Sequence, residues 1–192
     1  CGINNCRIEL NGAEVPILDG SSKPFVEAIQ TAGIQDQEAL QEIFVVQENI
    51  HITDEASGSE ILIVPAESTS LTVLIDFETK VLGTQNAVLH KMEDFPSEIA
   101  SSRTFSFLHE LETLLEQNLI KGGDLNNAIV YVNKTLDKET MDRLKKAFGK
   151  KEIAVKKNGI LDNLTLHHPN EAARHKLLDV VGDLALIGMP VQ

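Results

Sequence analysis

The spacing of apolar positions changes several times along this chain, and each change marks an element. Residues 4–10 alternate apolar and polar positions, Asn11-Gly12 supplies a two-residue hairpin turn, and residues 14–18 return as a second short strand. The stretch Asp19-Gly20-Ser21-Ser22-Lys23-Pro24 then offers a turn, a serine cap and a first-turn proline, which predicts a helix over 24–32 closed by Gly33. Residues 35–41 are polar and acidic, and the pattern after them turns to strands, so a domain boundary is expected near residue 42, between units 1–42 and 43–192.

In the second unit, runs 43–46, 50–53, 60–65 and 71–77 read as strands separated by Gly, Asn, Asp and Ser, and 85–89 is expected to pair back on 71–77 in a mainly antiparallel meander. Phe107, Leu108, Leu111, Leu114 and Leu115 follow a helical period, predicting a helix over 104–118 that ends at Gly122-Gly123. A strand at 128–132, a helix at 137–148 with Asp137 as its cap and Gly149 at its end, and short strands at 153–155 and 164–166 complete the pattern. Strands grouped apart from helices argue for an α+β layered sandwich and against a doubly wound parallel sheet.

Pro169-Asn170 opens the last helix, which through residues 172–187 is apolar almost everywhere except along His175, Asp179 and Asp183. Positions i, i+4 and i+8 share nearly one helix face, so an imidazole and two carboxylates project together. A helix this oily is expected to be buried, and buried ionisable groups must be paired or metal-bound. By itself, His-x-x-x-Asp reads more simply as a salt link or a cap. The apolar setting and the further turn to Asp183 favour a functional site. Imidazole and carboxylate suit Zn²⁺, with a third ligand required from elsewhere.

Lys176 reads either as a group that steadies negative charge or as a snorkelling surface lysine. His167-His168 is read as an exposed doublet, and His51, His90 and His109 as structural. Lys121-Gly122-Gly123-Asp124 lacks the spacing of a phosphate-binding loop and reads as a helix end and turn. Arg103-Thr104-Phe105-Ser106-Phe107 places a hydroxyl and two aromatics at an expected helix start, as an anion site or simply as cap and core.

Composition narrows the partners. A formal net charge of −12 on 192 residues repels phosphate backbones and argues against nucleic acid. No apolar run is long enough for a transmembrane segment, and no basic-then-apolar leader opens the chain. Cys1 and Cys6 have no second Cys/His pair at zinc-finger spacing and are expected to be reduced, partly buried thiols of a cytosolic protein. Beginning without Met and directly in strand-like sequence, the chain is expected to be a fragment.

Four ordered blocks resemble one family: Asn11-Gly12-Ala13-Glu14-Val15-Pro16-Ile17-Leu18-Asp19-Gly20-Ser21, Arg103-Thr104-Phe105-Ser106-Phe107, residues 122–128, and residues 174–188. Together they resemble the UDP-3-O-acyl-N-acetylglucosamine deacetylases over essentially the whole chain. The resemblance implies a cytoplasmic, zinc-dependent hydrolase of Gram-negative bacteria that deacetylates the UDP-linked acylated glucosamine precursor of lipid A. It implies two facing βααβ sandwich domains with zinc between them, the first incomplete here. It makes His175 and Asp179 zinc ligands, Lys176 a substrate-binding lysine facing the reaction centre, and Asp183 the carboxylate that orients a catalytic histidine. Thr104 falls where a threonine polarises the amide carbonyl, Phe105 and Phe107 near uridine and sugar, and Glu110 where an acidic residue contacts the hexosamine.

The departures from the family are equally specific. Its third zinc ligand and general-base glutamate belong to a Glu-His pair upstream of Cys1, and its catalytic histidine follows Gly188-Met189-Pro190; neither segment is in these residues. Residues 76–80 lack the His-Pro that many members carry. The wording around Gly188 resembles the subgroup fused to a hydroxyacyl carrier-protein dehydratase. The fragment itself is therefore expected to be inactive or nearly so. The competing reading is a non-catalytic acidic interaction domain whose His175/Asp179/Asp183 stripe is a satisfied polar network. A phosphohydrolase would need an adjacent His-Asp pair, which the chain lacks.

Overall fold

In the computed structural model, which describes residues 1–116, 127–155, 157, 159–162 and 164–192, the first helix α1 spans Lys23–Ala32. Pro24 lies in its first turn, and Gly33 ends it with φ +83° while donating its N–H to the Ile29 carbonyl. Ser22 stands at the cap position without capping through its side chain; Ser21 Oγ accepts from Lys23 N at 3.2 Å instead, and Ser22 Oγ donates to the Ala100 carbonyl at 3.2 Å.

The hairpin expected before α1 is not formed: residues 4–18 carry no strand, and Ile8 is 76% and Val15 63% exposed. Pro16 has no N–H to give a ladder. No described layer covers the apolar face, and an isolated two-stranded hairpin is marginal in water. Both cysteines are free and exposed, which corrects the expectation of partial burial.

Strands β1 (Ile50–Asp54) and β2 (Ser59–Ile63) pair antiparallel, Ile50 opposite Ile63. Their turn is closed locally: Asp54 Oδ2 accepts from Ser57 Oγ at 2.6 Å, and Gly58, at φ +70°, donates to the Asp54 carbonyl. Strands β3 (Leu71–Ile75) and β4 (Gln85–Leu89) also pair antiparallel as expected, Leu71 opposite Leu89. Of the run 43–46, only Phe44 makes a bridge, parallel to Val191.

A 3₁₀ turn at Met92–Asp94 leads into the short α2 (Phe95–Glu98), neither of which the periodicity predicts. Residues expected to begin a helix instead form strand β5 (Phe105–Phe107), and α3 (Leu108–Glu116) starts after it. The reason lies in pairing: β5 runs parallel to β6 (Ile129–Tyr131), so the unit is β-α-β. The glycine-rich turn at 121–124, and with it the predicted helix end, lies outside the described residues. Helix α4 (Lys138–Ala147) is capped as expected, Asp137 Oδ1 accepting from Thr140 N at 2.7 Å. The strands expected at 153–155 and 164–166 reduce to an isolated bridge between Val155 and Leu161.

Among the described residues the sheets are three two-stranded ones, and the chain is mixed α+β. Helix α5 (Glu171–Ala185) packs across β3 and β4. One core cluster joins Ile75, Leu89, Phe107, Ile129, Tyr131, Ala173 and Leu177; a second joins Leu108, Leu111, Val130, Leu144 and Leu161. Strand alternation explains how β6 serves both, since Ile129 and Tyr131 face one way and Val130 the other.

Candidate metal centre

Helix α5 begins where the sequence expects, with Asn170 ahead of it donating Nδ2–H to the Asn86 carbonyl at 2.7 Å. Its fully buried residues, Glu171, Ala172, Ala173 and Leu177, all lie in its first half, Leu178 and Val181 are half-buried against the core, and Leu186 just past its end is 85% exposed. The expectation of a buried helix therefore holds for its first turns and fails for its last. Its Ala173–Leu177 face packs on the β3–β4 pair, and nothing described covers the opposite side of its last turns. Consequently the polar stripe is graded, with the His175 side chain 13% exposed, Asp179 38%, and Asp183 exposed.

His175 Nδ1 lies 3.0 Å from the Ser102 carbonyl. A carbonyl only accepts, so Nδ1 carries a proton, and in the neutral form of the ring the lone pair is on Nε2. Nε2 is 3.6 Å from Asp179 Oδ1. Lys176 Nζ donates to Asp179 Oδ2 at 3.0 Å and sits 5.9 Å from the centroid of the Phe105 ring. A ring anchored through one nitrogen to a backbone carbonyl is the arrangement that orients a metal-ligating histidine. His175 and Asp179 thus fit two positions of a zinc site. Among the described residues no three His, Cys, Asp or Glu side chains come together to hold a metal ion.

The other expected residues sit at different depths. Thr104, half-buried, follows the Ser102 anchor by two residues; its N–H donates to the Gly20 carbonyl at 2.8 Å and its carbonyl accepts from Ile129 N at 2.8 Å. Gly20 holds φ +80°, and a Cβ there would meet the Asn127 carbonyl oxygen at 1.7 Å, so only glycine allows this approach. Phe105 is half-buried beside Lys176, while Phe107 is 4% exposed and packs edge-on to Phe77 at 5.5 Å. Glu110 is exposed and turns back to the end of β5, Oε2 accepting from Phe107 N at 2.9 Å. Asp183 lies two turns along α5 from His175.

Sequence reading missed the most buried ions of the region. Arg103 Nε donates to Glu171 Oε1 at 2.8 Å, the two side chains being 7% and 0% exposed. The signal was available, because Glu171 precedes His175 by four residues and extends the same stripe backward. Burial pushes the Glu171 carboxyl up, but hydrogen bonds from the Arg103 side chain and backbone and from His167 N bring it below the usual carboxylate range. Burial, aided by the Glu171 charge, pushes the nearby Tyr131 phenol up to about 12, so it stays protonated. Both histidines of the doublet hold Ser101: His167 Nδ1 donates to its carbonyl at 2.8 Å, and His168 Nε2 is 3.2 Å from its hydroxyl. His109 is stacked on Phe107, and His51 lies 3.7 Å from Glu60.

The fold and site define an α+β protein in which one helix presents an oriented imidazole and carboxylate beside a lysine. Residues 1–150 and 139–192 match the family described as "LpxC: UDP-3-O-acyl N-acetylglycosamine deacetylase", and the chain belongs to that family. It is 44% identical to the "Bifunctional enzyme LpxC/FabZ" of Bacteroides thetaiotaomicron, covering 100% of this chain and 41% of that protein. The bifunctional enzyme of the same name from Chlorobaculum tepidum is 43% identical over 99% of this chain and 41% of its own length. The UDP-3-O-acyl-N-acetylglucosamine deacetylase of Myxococcus xanthus is 37% identical over 99% of this chain and 52% of its own length. The chain thus spans about half or less of these relatives. No helix among the described residues is long and apolar enough to cross a membrane.

Proposed function

We propose that the polypeptide carrying this chain is a cytoplasmic, zinc-dependent amide hydrolase that removes the N-acetyl group from UDP-3-O-acyl-N-acetylglucosamine in lipid A biosynthesis. The observation that carries the reading is the His175 ring, fixed by its Nδ1–H on the Ser102 carbonyl with Nε2 left on the Asp179 side. His175 and Asp179 hold the metal, and the third ligand comes from elsewhere in the full polypeptide. When bound, zinc supplies the Lewis acidity that makes water nucleophilic near neutral pH.

The chain's own residues bind and orient. Lys176, now paired with Asp179, turns to the negative charge of the reacting amide or of the UDP-sugar. Thr104, held by the Gly20 and Ile129 contacts of its backbone, offers its hydroxyl to the amide carbonyl. Phe105 and Phe107 lie near the uridine and sugar, Phe105 having the more open surface. Glu110 contacts the hexosamine, and Asp183 orients a histidine supplied by the full polypeptide.

On this reading residues 1–42 belong to a first βααβ sandwich and residues 43–192 to a second. The 192 residues alone are inactive or nearly so, since two donors hold zinc weakly. Identity is higher to the relatives named bifunctional, at 42–44%, than to those named deacetylase alone, at 33–37%, which supports a dehydratase domain on the same polypeptide.

Full-length protein is expected to contain about one zinc per chain and to deacetylate the UDP-sugar. His175→Ala is expected to lose the metal and roughly 100-fold or more of the activity. Full activity in that variant would reject the assignment. The Lys176–Asp179 pair at 3.0 Å favours one other reading, an acidic interaction domain in which the stripe is satisfied without metal. That alternative predicts zinc-free full-length protein and loss of stability alone on substitution.

A further inference from the structure

Residues 100–104 form a strap across the start of α5, and every residue of it is tied down. The Ala100 carbonyl accepts from Ser22, the Ser101 carbonyl from His167, Ser102 N donates to Ile99, and Thr104 bonds Gly20 and Ile129. The central knot is Glu171. Its Oε1 accepts from Arg103 N at 3.1 Å and Arg103 Nε at 2.8 Å, and its Oε2 accepts from Arg103 Nη2 at 3.2 Å and His167 N at 2.6 Å. Arg103 Nη2 also donates to the Thr165 carbonyl at 2.7 Å.

One carboxylate therefore locks two loops to the first turn of α5, one residue from the carbonyl that holds His175. A buried ion pair contributes little net stability compared with well-packed apolar residues of the same volume. What this one adds is position: a bidentate fork leaves Arg103, and with it Ser102, a single place to sit.

We propose that Glu171 is a positioning residue for the metal pair, acting through Arg103 and the Ser102 carbonyl to fix the orientation and Nδ1–H tautomer of His175. The proposal rests on the functional reading above. Glu171 touches neither metal nor substrate. It ensures that Nε2, and not Nδ1, is the nitrogen left to coordinate. Glu171→Gln keeps the shape but puts an NH₂ group against donors that now meet an oxygen. Arg103→Lys keeps the charge and loses the fork.

The test uses full-length protein carrying Glu171→Gln, Arg103→Lys, or Leu144→Ala, the last a destabilised control in the second core cluster. Two quantities are read: zinc affinity by chelator competition, and the ¹⁵N shifts of the His175 ring in zinc-stripped protein, assigned with His175→Gln. Wild type and Leu144→Ala are expected to show the Nδ1–H tautomer. Glu171→Gln is expected to show a mixture and a zinc affinity lower by about 10–100-fold, with a smaller change in the same direction for Arg103→Lys. Arg103→Lys carries the comparison alone if Glu171→Gln does not fold. Wild-type tautomer and affinity in the variants that fold, with stability lost as in Leu144→Ala, would overturn the positioning role and leave the functional reading intact. Wild-type protein that takes up no zinc would overturn both.

Discussion

Residues 71–89 and residues 4–18 carry the same kind of alternating pattern around a turn, yet only the first becomes a sheet. The first hairpin has the longer connection, which Asp76 closes by accepting from Glu78 N at 2.8 Å and Thr84 Oγ1 at 2.6 Å. It also has α5 lying on one face, so Ile75, Ala87 and Leu89 are buried. Residues 4–18 have the stronger local turn in Asn11-Gly12, but Pro16 interrupts the ladder and no described element covers Ile8, Val15 or Ile17. The β1–β2 hairpin separates these effects. It is exposed along nearly its whole length, has no proline in its strands, and persists on its turn and ladder. Turn chemistry proposes a hairpin; a full set of N–H donors permits it, and a covering layer makes it robust.

Substitutions sharpen the contrast. The largest effect is expected at the foot of α5: Glu171→Ala leaves Arg103 buried without its partner and should cost about 3–5 kcal/mol in denaturant unfolding. Leu177→Ala, beneath the β3–β4 cover, should cost about 2–5 kcal/mol, whereas Ile8→Ala in the uncovered segment should change stability by roughly 0.5 kcal/mol or less. Equal effects at Leu177 and Ile8 would break the comparison. Gly20→Ala forces a Cβ onto the Asn127 carbonyl at positive φ and should destabilise by about 1–3 kcal/mol, reducing hydrogen-exchange protection at Thr104 and Ile129.

Acid acts on the same covered region. The His168 pKa lies below its usual value, chiefly through burial and then the Arg174 charge, and Glu171 lies below the carboxylate range. In both cases the unfolded chain binds protons more readily than the folded one, so stability falls as pH falls. The loss should begin below about pH 6.5 as His168 protonates in the unfolded chain, and steepen through the carboxylate range as Glu171 does. Glu171→Gln should flatten the steeper part of the unfolding midpoint plotted against pH. The smallest effect is at Arg7–Glu9, an ion pair 87% and 71% exposed, where Arg7→Ala should leave the unfolding midpoint unchanged within about 0.5 kcal/mol.

Much of the molecule was legible from local pattern. Helices α1, α4 and α5 lie close to where caps, proline and glycine put them, and β3 pairs with β4 as the alternation requires. The helix expected over 104–118 begins only at Leu108, because the period of Phe107, Leu108 and Leu111 does not record that Phe105–Phe107 pairs in parallel with Ile129–Tyr131, a long-range event. The stripe His175, Asp179 and Asp183 was visible as spacing alone. Its graded exposure was not, because burial of α5 depends on which of its faces meets β3 and β4.

By itself the sequence determined where helices can begin and end, which residue types share a helix face, and the family to which the chain belongs. These follow from short-range sterics, from helix periodicity and from ordered motifs. Only the tertiary structure decided that Ser102, 73 residues before His175, would anchor its ring, and that Glu171 would clamp the strap bearing that carbonyl. Hydrogen bonds and buried charges of this kind act over a few ångströms in space and leave no period in the chain. They exist only once α5, the strap and the β3–β4 pair have packed together.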